Sequence, residues 1–156
     1  MLQRAAPTIR ELLSYRLHRV ANLLSRGAEL RYRREFGVSL WEWRTVALLG
    51  AADGALSPGE LARAAGVDKS QMSRVVAGLS RRGIVLRAGD KSDARGVKLR
   101  LSARGRRLYD GLIRAAAERN AALLACLGTR ERACFERALD KLAAQARRLI
   151  EEEKAK

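Results

Sequence analysis

Ser70, Gln71, Ser73 and Arg74 bring two hydroxyls, an amide and a guanidinium into five consecutive positions. Such groups exchange hydrogen bonds with base edges, Arg pairing in bidentate fashion with guanine and Gln with adenine, so Arg74 is a candidate guanine reader and Gln71 a candidate adenine reader. Lys69 and Arg81 complete the candidate DNA-contacting set on this segment. The surrounding charge agrees. Residues 57–107 carry 13 basic residues against four acidic ones, a net +9 within a chain whose formal charge is +15. A polyanionic partner explains that concentration better than a solvated basic face does.

Catalysis lacks its equipment. The chain has one His, no His-Glu-x-x-His, no phosphate-cradling Gly-rich loop and no Cys pair at zinc spacing, so neither an enzyme nor a bound metal or cofactor is expected. No apolar run approaches the roughly 20 residues needed to cross a bilayer, and no signal-peptide core stands at the start, which predicts a cytoplasmic protein with no membrane partner. Cys126 and Cys134 fall in a late helical stretch and are expected as core or interface thiols, not as a structural disulfide.

The elements that must position these groups follow from punctuation and periodicity. Apolar residues make up 47% of the chain and aromatics only 4%, a Leu, Ala and Val balance that suits helices. Ile9, Leu13, Leu17, Val20 and Leu24 recur at three- and four-residue spacings, which predicts one amphipathic helix over residues 8–36, closed by Gly37. Ser39 with Glu42 predicts a second helix over 39–50, with Trp43, Val46, Ala47 and Leu49 inward. Ser57-Pro58-Gly59-Glu60 opens a short helix carrying Leu61, Ala64 and Ala65 inward and breaking at Gly66. Asp68 and Gln71 launch the next, where Met72, Val75, Val76 and Leu79 face the core. That leaves Lys69, Ser70, Ser73, Arg74, Ala77 and Arg81 on the other side, with Gln71 near the boundary.

Beyond Gly83, alternating residues flank a polar tip at 89–96, a β-hairpin pattern. Ser102 caps a long helix bearing Leu108, Leu112, Ile113, Leu123 and Leu124, and Thr129 is expected to cap a last one bearing Phe135, Leu139, Leu142 and Leu149. The fold class is therefore mainly α with a small β-hairpin wing. Helix, tight turn, helix and basic hairpin form a winged helix-turn-helix, in which a helix enters the major groove and the hairpin reaches the minor groove. Residues 8–24 and 129–150 carry more apolar stripe than a small head domain covers, which predicts a homodimer.

The chain resembles the MarR family of bacterial transcription regulators. The resemblance rests on Glu60-Leu61-Ala62 with Gly66-Val67, on residues 70–79, and on Asp93-Ala94-Arg95 ahead of Leu99-Arg100-Leu101-Ser102 and Gly105. It implies that Arg95 enters the minor groove from the wing tip while Asp93 orients its guanidinium. It also implies dimerisation through the terminal helices, with residues 1–36 an N-terminal dimerisation helix, 37–105 the DNA-binding lobe and 106–156 the C-terminal dimerisation helices. The expected function is that of a sequence-specific regulator, a repressor by family default. It would bind a pseudo-palindromic operator in double-stranded DNA as a homodimer and be released by a small aromatic or phenolic acid. Tyr15, Arg16, His18, Trp41, Trp43 and Arg44 are the candidate ligand residues, offering an aromatic wall and a cationic anchor for a carboxylate. Redox sensing is disfavoured, because no cysteine precedes Cys126. The alternative function is a non-specific architectural DNA-binding protein, whose affinity would be almost all phosphate contact.

Overall fold

Three short side chains start three consecutive helices. Ser39, Ser57 and Asp68 each sit in extended backbone and accept the amide three residues on, from Glu42, Glu60 and Gln71, satisfying donors that a helix N-terminus otherwise leaves unpaired. A computed structural model of the chain describes residues 7–89 and 97–156. Within them α1 spans Leu13–Phe36, α2 Leu40–Ala51, α3 Pro58–Ala65, α4 Lys69–Arg81, β1 Val85–Gly89, β2 Val97–Leu101, α5 Ala103–Leu124 and α6 Thr129–Lys154. The chain is mainly helical with one antiparallel hairpin, β1 paired to β2 with Val85 opposite Leu101 and Arg87 opposite Leu99. It divides into two compact units, residues 1–115 and 116–156.

In the first unit the core is built by Val46 and Leu49 of α2, Leu61 of α3, Met72, Val76 and Leu79 of α4, Ile84 and Val85 entering the hairpin, and Leu99 of β2. Buried Thr45 donates its hydroxyl to the Met72 sulfur at 3.7 Å, the one polar residue fully inside that interior among the described residues. Leu56 pairs with Leu99 through two backbone hydrogen bonds of 2.7 and 3.0 Å, which attaches the segment before α3 to the wing. Gly105 sits where α5 begins, so close to the Ile84 carbonyl that a Cβ there would overlap its oxygen.

Several expectations need correction. The helix predicted over residues 8–36 is interrupted: Thr8 and Glu11 close a 3-10 turn at Ile9–Glu11, Leu12 is extended, and α1 starts at Leu13. The cause is Glu11, which accepts the Thr8 amide at 2.7 Å and ends a turn of its own. In α3 the buried pair is Leu61 and Ala62, while Ala64 is exposed. The helix turns its 64–65 edge toward a groove beside α2 instead of the interior. Trp43, Ala47 and Val75 are half-buried. Gly128, not Thr129, is the residue before α6, its amide held by Glu131 at 2.8 Å.

In the second unit α6 has no buried residue, and Phe135, Leu139, Leu142, Leu149 and Ile150 are exposed. Cys126 lies in the turn after α5 and Cys134 on α6, both exposed free thiols, so neither is a core residue. The apolar residues Leu13, Leu17, Val20 and Leu24 of α1 in the first unit are exposed as well.

Candidate nucleic-acid interface

The tight turn between α3 and α4 is set by Gly66, which adopts φ +68° as the C-cap of α3, a left-handed conformation that any side chain disfavours. Val67 then donates its amide to Ala62 O at 3.1 Å, and Asp68 begins α4 two residues after the glycine. Asp68 is the pivot of this end. Its carboxylate accepts the Ser70 hydroxyl at 2.6 Å and the Gln71 amide at 2.8 Å. These bonds, the Ser70 hydroxyl foremost, hold the Asp68 carboxyl below its usual value, with the Arg74 charge adding in the same direction.

α4 presents two different sides. Met72, Val76 and Leu79 are buried, whereas Lys69, Ser70, Ser73, Arg74, Ala77 and Arg81 are exposed and Gln71 is half-buried. Among the described residues Lys69, Arg74 and Arg81 form no ion pair, and all three are exposed. The Ser70 proton is committed to Asp68, so toward a partner this hydroxyl offers its acceptor oxygen. The positive N-terminal end of α4 adds to the attraction for phosphate.

Two ion pairs hold this helix and the wing in place. Glu60, whose side chain also accepts the Ser57 amide at 2.7 Å, lies 3.6 Å from the Lys98 ammonium on β2. Its carboxyl is lowered chiefly by the Ser57 amide and hydroxyl, then by Lys98. At the other end of α4, Arg82 donates to Glu42 at 2.9 Å and to the Gly37 carbonyl at 3.2 Å. Sequence reasoning read Glu42 only as a capping residue and Arg82 only as part of the basic cluster. Asp93 and Arg95, the candidate wing-tip pair, lie outside the described residues.

The candidate ligand residues separate into two groups. Trp43 and Arg44 line a pocket of about 330 Å³ together with Ala47, Leu48, Ala64 and Ala65. Arg44 stacks over the Trp41 ring at 4.8 Å and donates to the Ser25 hydroxyl at 3.3 Å, and the Trp43 ring meets that of Tyr32 at 5.1 Å. Tyr15, Arg16 and His18 do not line that pocket. Tyr15 is half-buried, Arg16 is exposed, and His18 is exposed with its ring Nε2 2.9 Å from Asn22. Ala64 and Ala65 were missed as lining residues because their apolar type reads as core. No signal in the sequence separates an alanine that fills an interior from one that floors a groove.

Residues 36–96 match the family model described as MarR family. Among solved structures, a MarR/EmrR family transcriptional regulator from Acinetobacter sp. ADP1 superposes with a TM-score of 0.82 at 25% identity, covering 91% of this chain and 99% of that one. A MepR-DNA complex from S. aureus gives 0.78 at 20% identity over 86% of this chain and 98% of that one. The PcaV transcriptional regulator of Streptomyces coelicolor, in complex with its natural ligand, gives 0.73 at 24% identity over 92% and 99%. No curated protein sequence matches the chain. Residues 36–96 thus match the MarR family model, and the chain shares the winged helix-turn-helix architecture of solved MarR/EmrR family transcriptional regulators.

Proposed function

We propose that the protein is a sequence-specific repressor that binds a pseudo-palindromic operator as a homodimer and leaves it when a small aromatic acid binds. The observation that carries the DNA reading is the division of α4, buried along Met72, Val76 and Leu79 and open along Lys69, Ser70, Ser73, Arg74 and Arg81. In this reading Arg74 and Gln71 meet base edges in the major groove, Ser70 and Ser73 contribute shorter hydrogen bonds, and Lys69 and Arg81 hold phosphates. Arg95, oriented by Asp93, takes the minor groove, a role carried over from the family resemblance alone. One solved relative in fold is a protein-DNA complex, which is consistent with that use of the lobe.

The homodimer is supported by exposed apolar residues in each unit taken by itself: Leu13, Leu17 and Val20 on α1, and Phe135, Leu139 and Leu142 on α6. Faces of this extent are favoured in a helical interface that removes them from water. The corresponding division is residues 1–36 and 106–156 for dimerisation and 37–105 for DNA. Two recognition helices then meet successive major grooves about 34 Å apart. The effector reading rests on the pocket beside Trp43 and Arg44, whose indole wall and nearby guanidinium suit a flat carboxylate. It is also consistent with one fold relative having been solved with its natural ligand. No described helix is long and apolar enough to cross a membrane, and the proposed site of action is the cytoplasm.

The test is binding of the purified protein to its own upstream intergenic DNA with excess unrelated competitor, at two salt concentrations, with and without a panel of aromatic acids. A regulator retains a preference of about a thousandfold or more for its operator. Loss of the complex to competitor on every upstream sequence would favour an architectural protein that binds phosphate alone.

A further inference from the structure

Arg81 and Arg82 are neighbours of the same type, yet the fold uses them oppositely. Arg81 is exposed on the open side of α4, whereas Arg82, the C-cap residue of that helix, turns its guanidinium back into the lobe. One nitrogen donates to Glu42 at 2.9 Å and another to the Gly37 carbonyl at 3.2 Å. Gly37 is the left-handed C-cap of α1, at φ +64°. Glu42 is at the same time bound to α2's own start, its second carboxylate oxygen accepting the Ser39 amide at 2.8 Å. A single planar fork therefore spans the corner between α1 and α2 and fastens the end of α4 to it.

We propose that Arg82 and Glu42 are a positioning pair for DNA recognition: they set the angle of α4 relative to α1, and through it the separation of the two recognition helices in the dimer. The inference rests on the dimeric operator reading given above. Its physical basis is the geometry of the fork. The Arg82 side chain is 37% exposed and that of Glu42 19%, and a pair open to water to this degree contributes little to overall stability. It does impose direction. A guanidinium donates from fixed, coplanar nitrogens, so bonds to two acceptors on either side of a corner restrict rotation there more than one point charge does. The acceptors belong to the C-cap of one helix and the first turn of the next, so any change of the α1–α2 angle must break or lengthen one of the two bonds. Arg82 also donates its backbone amide to Gly78 O at 3.2 Å, so the same residue that grips the corner closes the last turn of α4. A tilt of α1 is thereby delivered to the recognition helix through covalently adjacent atoms.

The experiment uses the full chain and a duplex recovered by the wild-type protein from a random-sequence pool, remade with its two half-sites moved apart or together by one and two base pairs. The wild type discriminates sharply among these spacings. Arg82→Ala loses about two- to thirtyfold affinity at the preferred spacing, the range for side chains that couple sites, and loses less at the others, so its spacing profile flattens. Glu42→Gln leaves one oxygen for two donors, the Ser39 amide and Arg82, and its profile falls between those of the wild type and Arg82→Ala, as does that of Arg82→Lys, one ammonium in place of the fork. Arg81→Ala serves as the contrast, lowering the salt dependence of binding while leaving the profile sharp. An equal loss at every spacing would reduce the pair to a stabilising contact and overturn the proposal, as would an unchanged profile in Arg82→Ala. If that variant does not fold, an Arg82→Lys profile identical to wild type overturns it instead. Failure of the wild type to recover a two-half-site duplex refutes the operator reading, and the positioning role with it, before any variant is made.

Discussion

Gly105→Ala is expected to loosen the wing from α5. The Cβ it adds overlaps the Ile84 carbonyl oxygen, and also lies 3.2 Å from the Ile84 carbon and 3.3 Å from the Leu101 Cβ. That oxygen cannot easily move away, because it accepts the Ser102 amide at 3.0 Å, while the Ser102 hydroxyl donates to Gly83 O at 2.7 Å and accepts the Gly105 amide at 2.9 Å. The obstruction is backbone on one side and a buried helix turn on the other, so the strain belongs at the upper end of overpacking costs, about 3 kcal/mol. Replacing Gly by Ala within a helix returns about 1 kcal/mol through backbone entropy. The net loss is about 2 kcal/mol, which for a chain of this size lowers Tm by about 4–8 °C. The assay is thermal unfolding at matched protein concentration, together with operator titration well below the melting range. Operator affinity should fall as well, because Ile84 leads directly into β1 and its displacement carries the hairpin with it. A variant as stable as the wild type, with undiminished DNA affinity, would refute both the close packing at this turn and the dependence of the wing on it.

Arg74→Ala should cost about 1–3 kcal/mol in operator binding and relax the preference at one base pair of each half-site, read by titration against single-base operator variants; Arg95→Ala should weaken binding with a different base dependence. Asp68→Ala should lower Tm at neutral pH. The Asp68 carboxyl titrates below its ordinary value of 3.8 in the folded protein, so its contribution is present above that value and disappears as pH falls through the lowered one; melts of wild type and variant should converge in acid and stay apart at pH 7. Leu17→Asp combined with Val20→Asp places charge on exposed apolar positions of α1, and sedimentation should show monomers in place of the proposed dimer. Arg44→Ala should raise the concentration of aromatic acid needed to release DNA while leaving unliganded operator affinity intact, measured by competition at fixed operator.

Local chemistry made much of this protein legible in one dimension. Ser57-Pro58 with Glu60, Asp68 with the Gln71 amide, and Gly66 between them specify a helix, a turn and a helix through atoms no more than three residues apart, and no distant contact is needed to read them. The same is true of the α4 faces, since helical periodicity alone separates Met72, Val76 and Leu79 from Lys69, Ser73, Arg74 and Arg81. Only the tertiary structure decided what depends on juxtaposition across long stretches of chain. Arg81 and Arg82 are identical in type and adjacent, and it is the meeting of the α4 terminus with a corner some 40 residues earlier that turns one outward and binds the other to Glu42 and Gly37. Ala64 reads as core by type but floors a groove, because α2 brings Trp43 and Arg44 alongside it. Periodicity reports which side of a helix is apolar; what that side faces is set by the packing of elements remote in sequence, and that information is not local.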